Sequence, residues 1–238
     1  MISIIDYRAG NLKSVERALR HLGIGCRITD DPADILSSER VIFPGVGAAG
    51  KTMEVIESLH LDGVIHEVVR RKTPFLGICL GAQIILETSE EDDTACLKLI
   101  AGRVRRFPHM GSKLPERGSK VPESGSEISE RGIEIPERGI KIPERGIKIP
   151  HMGWNNITIE RNHPLLDGID RAAQFYFVHS YYPEPLHRED IIATTRYGIS
   201  FASVIGRGNV VATQFHPEKS GRFGLQLLQN FSQWNGTC

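Results

Sequence analysis

The stretch Pro74-Phe-Leu-Gly-Ile-Cys79-Leu-Gly-Ala-Gln83 decides the fold. Its apolar run, Phe75 to Ile78, has the length of a buried strand and passes at Cys79 directly into a helical pattern. Gly77 and Gly81 flank the cysteine as Gly-x-Cys-x-Gly, the cysteine form of a nucleophile elbow, in which small residues let the chain turn sharply at a strand-to-helix corner. A thiol at that corner sits at a helix N-terminus, whose dipole and free N–H groups favour a thiolate and can bind an oxyanion. The competing assignment for Cys79 is a buried structural cysteine, because free cysteines are among the most buried residues.

A second segment complements the first: Val211-Ala-Thr-Gln-Phe-His216-Pro-Glu218-Lys219. Residues two apart on an extended chain share a side, and Pro217 is expected to hold the intervening position extended, so that Glu218 lies beside His216 and orients its ring. A cysteine nucleophile, a histidine base and a third polar group make the generalised triad of acyl transfer. The order Cys, His, Glu differs from α/β-hydrolases, where the acid lies between nucleophile and histidine. Taken alone, His216 is one of nine histidines and equally fits a satisfied core or surface residue.

Around these segments, short apolar runs alternate with helical patterns through the first ninety residues, as in a parallel α/β sheet. Strands are expected at Ile2 to Ile5, Gly25 to Ile28 and Val41 to Phe43, and helices at Leu12 to Leu22 and through most of Thr52 to Arg71. Beyond residue 153 the pattern changes to shorter strands: Trp154 to Ile159, Ala173 to Val178, Ile191 to Thr195, Phe201 to Ile205 and Val210 to Gln214. A helix from Gly221 to Trp234 closes the chain. The predicted class is α/β, a mainly parallel twisted sheet flanked by helices with a smaller antiparallel portion.

Between the halves lies a tandem repeat of period seven, with glycine at 111, 118, 125, 132, 139, 146 and 153. Pro108-His-Met-Gly111 returns as Pro150-His-Met-Gly153, six heptads on, so one domain spanning 1–238 is interrupted by an insertion at about 108–149. Pro and Gly in almost every heptad exclude a coiled coil. The array fits either a small antiparallel meander built on Ile-Lys-Ile units or a low-complexity insert unable to bury enough apolar surface to order itself.

With 40% hydrophobic residues, 29 basic and 29 acidic side chains, the chain can bury a core but presents no polycation, so nucleic acid and anionic membranes are not expected partners. No apolar stretch reaches the roughly 20 residues needed to span a bilayer, and the short apolar N-terminus lacks a basic leader. Cys26, Cys79, Cys96 and Cys238 contain no Cys-x-x-Cys pair, which suggests neither a zinc site nor a disulfide framework; no cofactor or metal is indicated. A cytoplasmic location fits this pattern.

Six motifs together resemble the class I (triad) glutamine amidotransferases, and within them the glutaminase subunits of imidazole glycerol phosphate synthase. They are Ile5-Asp6-Tyr7 with Gly10-Asn11-Leu12-Lys13-Ser14, Pro44-Gly-Val-Gly47, Gly77-Ile-Cys79-Leu-Gly-Ala-Gln83, Pro150-His-Met-Gly-Trp-Asn155, Phe177-Val-His-Ser-Tyr-Tyr182 and Gln214-Phe-His216-Pro-Glu218-Lys219. The resemblance implies that Cys79 forms a glutamyl thioester, that His216 is general base and acid, and that Glu218 orients it. It also implies an oxyanion hole from the N–H groups of Val46 and Leu80, with Gly47, Gln83, Ser180 and Tyr181 in the glutamine pocket. In this family ammonia passes to a cyclase subunit, a barrel partner in a heterodimer that makes imidazole glycerol phosphate and aminoimidazole carboxamide ribotide. Asn11, Lys13, Met152, Trp154 and Lys219 match its partner-facing segments, and a core role for Trp154 competes with an interface role.

The chain departs from the family pattern at Arg8-Ala9, Ala48-Ala49 and Ala82, none of which removes a catalytic group. A paralogue feeding another synthase, such as a surface-sugar amidating enzyme, would carry the same chemistry. A noncatalytic interaction protein built on the repeat is the alternative from another class.

Overall fold

The structure, a computed structural model, describes residues 1–8, 11–108 and 148–237. The heptad repeat therefore lies almost entirely outside the described residues. An eight-stranded sheet forms the centre, in the order Cys26–Thr29, Ile2–Ile5, Arg40–Gly45, Phe75–Cys79, Val210–Thr213, Ile199–Arg207, Ile191–Tyr197 and Thr158–Ile159. The first five strands run parallel and the last three join antiparallel.

The apolar runs are continuous because both faces of this sheet are covered. Successive residues alternate between two cores: Ile42, Leu76 and Val211 enter one, whereas Val41, Phe43, Phe75, Val210 and Ala212 enter the other. The helices Leu12–His21 and Gly221–Gln233 close the first core with Val15, Leu19, Leu227, Leu228 and Phe231. The helices Ala49–Ser58 and Leu61–Arg70 close the second with Met53, Ile56, Ile65 and Val68. The single helical pattern expected from Thr52 to Arg71 is thus two helices, broken where His60 takes a left-handed conformation, φ 55°.

Two smaller sheets lie apart from the main one. Gln174–His179 pairs antiparallel with His151–Asn156, so the strand expected from Trp154 begins three residues earlier and Thr158–Ile159 leaves it to join the main sheet. The other has the order Tyr181–Pro185, Gly102–Arg106, Thr88–Ser89 and Thr94–Ala95, all unexpected from the sequence. Gly102–Arg106 buries only Val104 and is otherwise charged or glycine, and Tyr181–Pro185 contains two prolines. Such a strand is tolerated at an edge, which is where it sits, but has no recognisable strand signature.

Register brings the chemistry together. Gly45 pairs with Cys79 and Thr213 with Ile78, so Pro44-Gly-Val-Gly47, the elbow and the Gln214–Lys219 segment all leave the sheet at its carboxyl edge. Ligands of open α/β sheets characteristically lie outside the carboxyl ends of the strands.

Candidate active site

Cys79 occupies a strained corner, with φ 55° and ψ −103°. Such a backbone costs on the order of 1–3 kcal/mol and persists only where its surroundings impose it. Here the imposition is steric: a Cβ on Gly77 would stand 2.6 Å from the Gly81 carbonyl oxygen, and one on Gly45 would stand 2.6 Å from Leu80 Cβ. Glycines at both positions let the Pro44–Gly47 segment and the turn close on the cysteine. The following helix is only Leu80–Ile84, so the corner offers the individual amide of Leu80 more than the dipole of a long helix.

The His216 ring is buried and its Nδ1 donates to Glu218 Oε1 at 2.8 Å. The pairing arises otherwise than expected: Pro217–Lys219 is a 3₁₀ turn, and the turn, not an extended chain, carries Glu218 back under the ring. Burial pushes the His216 pKa down, but the Cys79 sulfur beside the ring and the hydrogen-bonded Glu218 carboxylate outweigh it and raise the value to about 9. His216 Nε2 has no hydrogen-bond partner among the described residues and lines the same cavity as the Cys79 thiol.

The thiol opens on a cavity of about 340 Å³ lined by Val46, Gly47, Cys79, Leu80, Gln83, Ser180, Tyr181 and His216, together with Glu91, Pro150, Val178 and His179. Eight of the residues expected from the sequence therefore meet at one wall, and Glu218 stands behind them. A larger cleft of about 690 Å³, bordered by Glu160, Tyr182 and Phe201, shares no lining residue with it, so converging polar groups and not volume locate the site. The Gln83 amide spends its Nε2 on the Tyr181 carbonyl and on Gln214 Oε1, both at 3.0 Å, leaving its oxygen for a ligand. Gln214 Nε2 in turn lies 3.7 Å from the Cys79 sulfur.

The class I glutamine amidotransferase family matches residues 3–233. The chain belongs to that family. It is 47% identical to imidazole glycerol phosphate synthase subunit HisH of Desulfovibrio desulfuricans, covering 98% of this chain and 94% of that one. It is 42% identical to the subunit of the same name from Dehalococcoides mccartyi strain CBDB1, over 97% and 96%. PurLQS from Thermotoga maritima shares the fold, with a TM-score of 0.65 at 15% identity over 98% of this chain and 97% of that one.

In this amidotransferase the Val46 N–H, expected to serve an oxyanion, is already engaged. Val46 N–H donates to the hydroxyl of Tyr7 at 3.2 Å, while Gly47, at φ 111° with open space about its α-carbon, leaves the adjoining peptide room to turn. Tyr7 is fully buried and stacked on Phe43. Among the residues matched to the partner-facing segments, Lys13 and Lys219 are exposed, and Met152 and Trp154 stand 62% and 53% exposed on the outer side of their strand. The core assignment for Trp154 is thereby overturned. Asn11 turns inward: its Nδ2 donates to Glu218 Oε1 at 2.9 Å, and Ser14 Oγ donates to its Oδ1 at 2.6 Å.

Sequence reasoning gave no role to Glu91, Gln214, His179 or Tyr7. Glu91 sits in an acidic run that resembles a solvated loop, yet it accepts from Ala49 N–H at 2.7 Å and burial raises its pKa. Gln214 was visible as part of a motif, but its contact with the sulfur depends on the strand register alone.

Proposed function

We propose that the chain is the glutaminase subunit of an imidazole glycerol phosphate synthase, working in the cytoplasm as a heterodimer with a cyclase subunit. The observation that carries this reading is the meeting of Cys79 with the His216–Glu218 pair at the wall of one glutamine-sized cavity. With His216, whose pKa is about 9, already holding the proton on Nε2, Cys79 Sγ attacks the side-chain carbonyl carbon of glutamine. The tetrahedral oxyanion lies against the Leu80 N–H and, once the peptide has turned from Tyr7, the Val46 N–H. His216 returns the proton to the leaving nitrogen, which departs as ammonia, and a glutamyl thioester remains. Water, deprotonated by the same histidine, releases glutamate and restores the thiol. Glu218 keeps Nδ1 protonated and stabilises the imidazolium at each transfer.

Gln83 Oε1 and Glu91 offer acceptors for the α-ammonium of the substrate, and Gly47, Ser180 and Tyr181 enclose its other end. The exposed Met152 and Trp154, with Lys13 and Lys219, supply apolar anchors and charge for the cyclase face. The heptads at 108–149 are an insertion in this domain: Phe107 before them and His151 after them pack edge to face, ring centroids 6.4 Å apart.

The test is Cys79→Ala in the assembled synthase. Glutamine-dependent synthesis is expected to vanish while synthesis from ammonium continues. Loss of both in an intact complex contradicts this division of labour, and recovery of a different synthase on copurification transfers the same chemistry to a paralogous role.

A further inference from the structure

Behind the glutamine cavity, two histidines link its rim to the strand that displays Met152 and Trp154. His151 and His179 are register partners on antiparallel strands, and both are buried. The His151 ring is sandwiched between Phe177 and Tyr197, with centroids 4.7 and 3.9 Å away and interplanar angles of 25° and 22°. Its Nδ1 lies 2.9 Å from His179 Nε2, and its Nε2 lies 3.3 Å from Asn155 Nδ2. His179 Nδ1 lies 2.7 Å from the Tyr181 carbonyl oxygen.

The direction of every bond in this series is forced. A carbonyl only accepts, so His179 Nδ1 must carry the proton. Its Nε2 then has only a lone pair to offer, which makes His151 Nδ1 the donor and leaves His151 Nε2 to accept from Asn155. The Asn155 amide spends its other proton on the Arg196 carbonyl at 3.1 Å. Each ring nitrogen is satisfied with both imidazoles neutral, and no arrangement with a cationic His179 keeps all three bonds. Burial acts in the same sense, holding His151 down at about 4 and His179 at about 3. His179 therefore takes no part in proton transfer although it lines the cavity that Cys79 faces.

We propose that His151 is a positioning residue for glutamine, acting through His179 on the Tyr181 carbonyl that also holds the Gln83 amide. This rests on assigning the 340 Å³ cavity to glutamine. The carbonyl is held by two donors, the His179 ring and Gln83 Nε2, so its peptide fixes both the Ser180–Tyr181 rim and the free oxygen of Gln83. Without the His151 donor, His179 Nε2 is left buried and unpaired. The ring is then free to turn for another partner and release the carbonyl.

The experiment compares His151→Phe, which keeps an aromatic ring in the stack but has no donor, with His151→Asn, whose amide nitrogen can stand where Nδ1–H stood. In the complete synthase, H151F is expected to raise KM for glutamine about tenfold, equivalent to about 1.4 kcal/mol, with kcat within about threefold and ammonium-dependent synthesis unchanged. H151N is expected to bring KM back to within about threefold of the parent. Histidine nitrogen NMR of the parent should show His179 protonated at Nδ1 and bare at Nε2. An unchanged KM in folded H151F overturns the proposal, as does a rise in H151N as large as in H151F, since packing alone would produce it. The opposite His179 tautomer overturns it too, and decides the matter if H151F does not fold. Gln83→Ala separates the two levels: a raised KM there with none in H151F refutes the histidine series alone, and no change in either refutes the pocket assignment.

Discussion

Asn11 is expected to act on the chemistry of this enzyme and not merely on its docking. Its amide and the His216 ring share one oxygen of Glu218, at 2.9 and 2.8 Å. The Glu218 side chain is about 1% exposed and its other oxygen is buried with no partner among the described residues, so water cannot replace a lost donor. A hydrogen bond to a buried charge is worth about 1.5–3 kcal/mol. Because 1.4 kcal/mol is a factor of ten, loss of the amide should lower kcat/KM for glutamine by about 10- to 100-fold if the carboxylate swings out of line with Nδ1. The suitable change is Asn11→Gly, since Asn11 has φ 70° and glycine keeps that backbone without the strain an alanine would add. Asn11→Asp should be more damaging, because it sets a second carboxylate against Glu218. The assay is glutamine hydrolysis by the assembled complex, with ammonium-dependent synthesis and subunit affinity measured alongside. Hydrolysis by N11G within twofold of the parent in a fully formed complex refutes the argument; a fall in affinity with normal turnover returns Asn11 to a docking role alone.

Other consequences are open to simpler measurements. Tyr7→Phe removes the acceptor of the Val46 N–H; burial holds the Tyr7 phenol up at about 12, so a neutral hydroxyl is what is lost, and hydrolysis without cyclase ligand should rise about 2- to 10-fold. Unchanged basal hydrolysis in Y7F argues that this bond does not restrain the oxyanion segment. Burial, aided by Arg161, lowers His163 to about 4, and its Nδ1 accepts from Leu165 N–H at 3.1 Å. The unfolded chain therefore binds more protons between about pH 6.5 and 4, and this contribution to stability is lost as pH falls through that window. His163→Asn, which can keep the Nδ1-like acceptor, should flatten the fall in urea midpoint over the same range, and an unaltered slope would count against His163 as a source. Deleting 108–149 joins segments already packed together, and loop closure changes by only about 0.6 kcal/mol per doubling of length. The shortened protein should fold, bind the cyclase and hydrolyse glutamine; loss of binding by a folded monomer makes the heptads part of the docking surface.

The sequence by itself determined the parallel half of the sheet and the identity of the triad. Ile2–Ile5, Phe75–Cys79 and Val210–Thr213 are apolar on both faces, a signal that survives without context, and the Gly-x-Cys-x-Gly elbow is legible because only glycine permits the close approaches at Gly77 and Gly81. Local pattern failed where partners came from afar. Gly102–Arg106 and Tyr181–Pro185 carry more charge and proline than strands usually do, and they are strands because their backbones pair with each other and with Thr88–Ser89 across the chain. The same distance hid the connections of the site. Asn11 and Glu218 are 207 residues apart and Tyr7 and Val46 are 39 apart, and each pair meets only after parallel register has brought the ends of five strands to one edge. Which groups could do chemistry was written in residue types and spacing; which of their hydrogen bonds are already spent was decided by the packing of the tertiary fold.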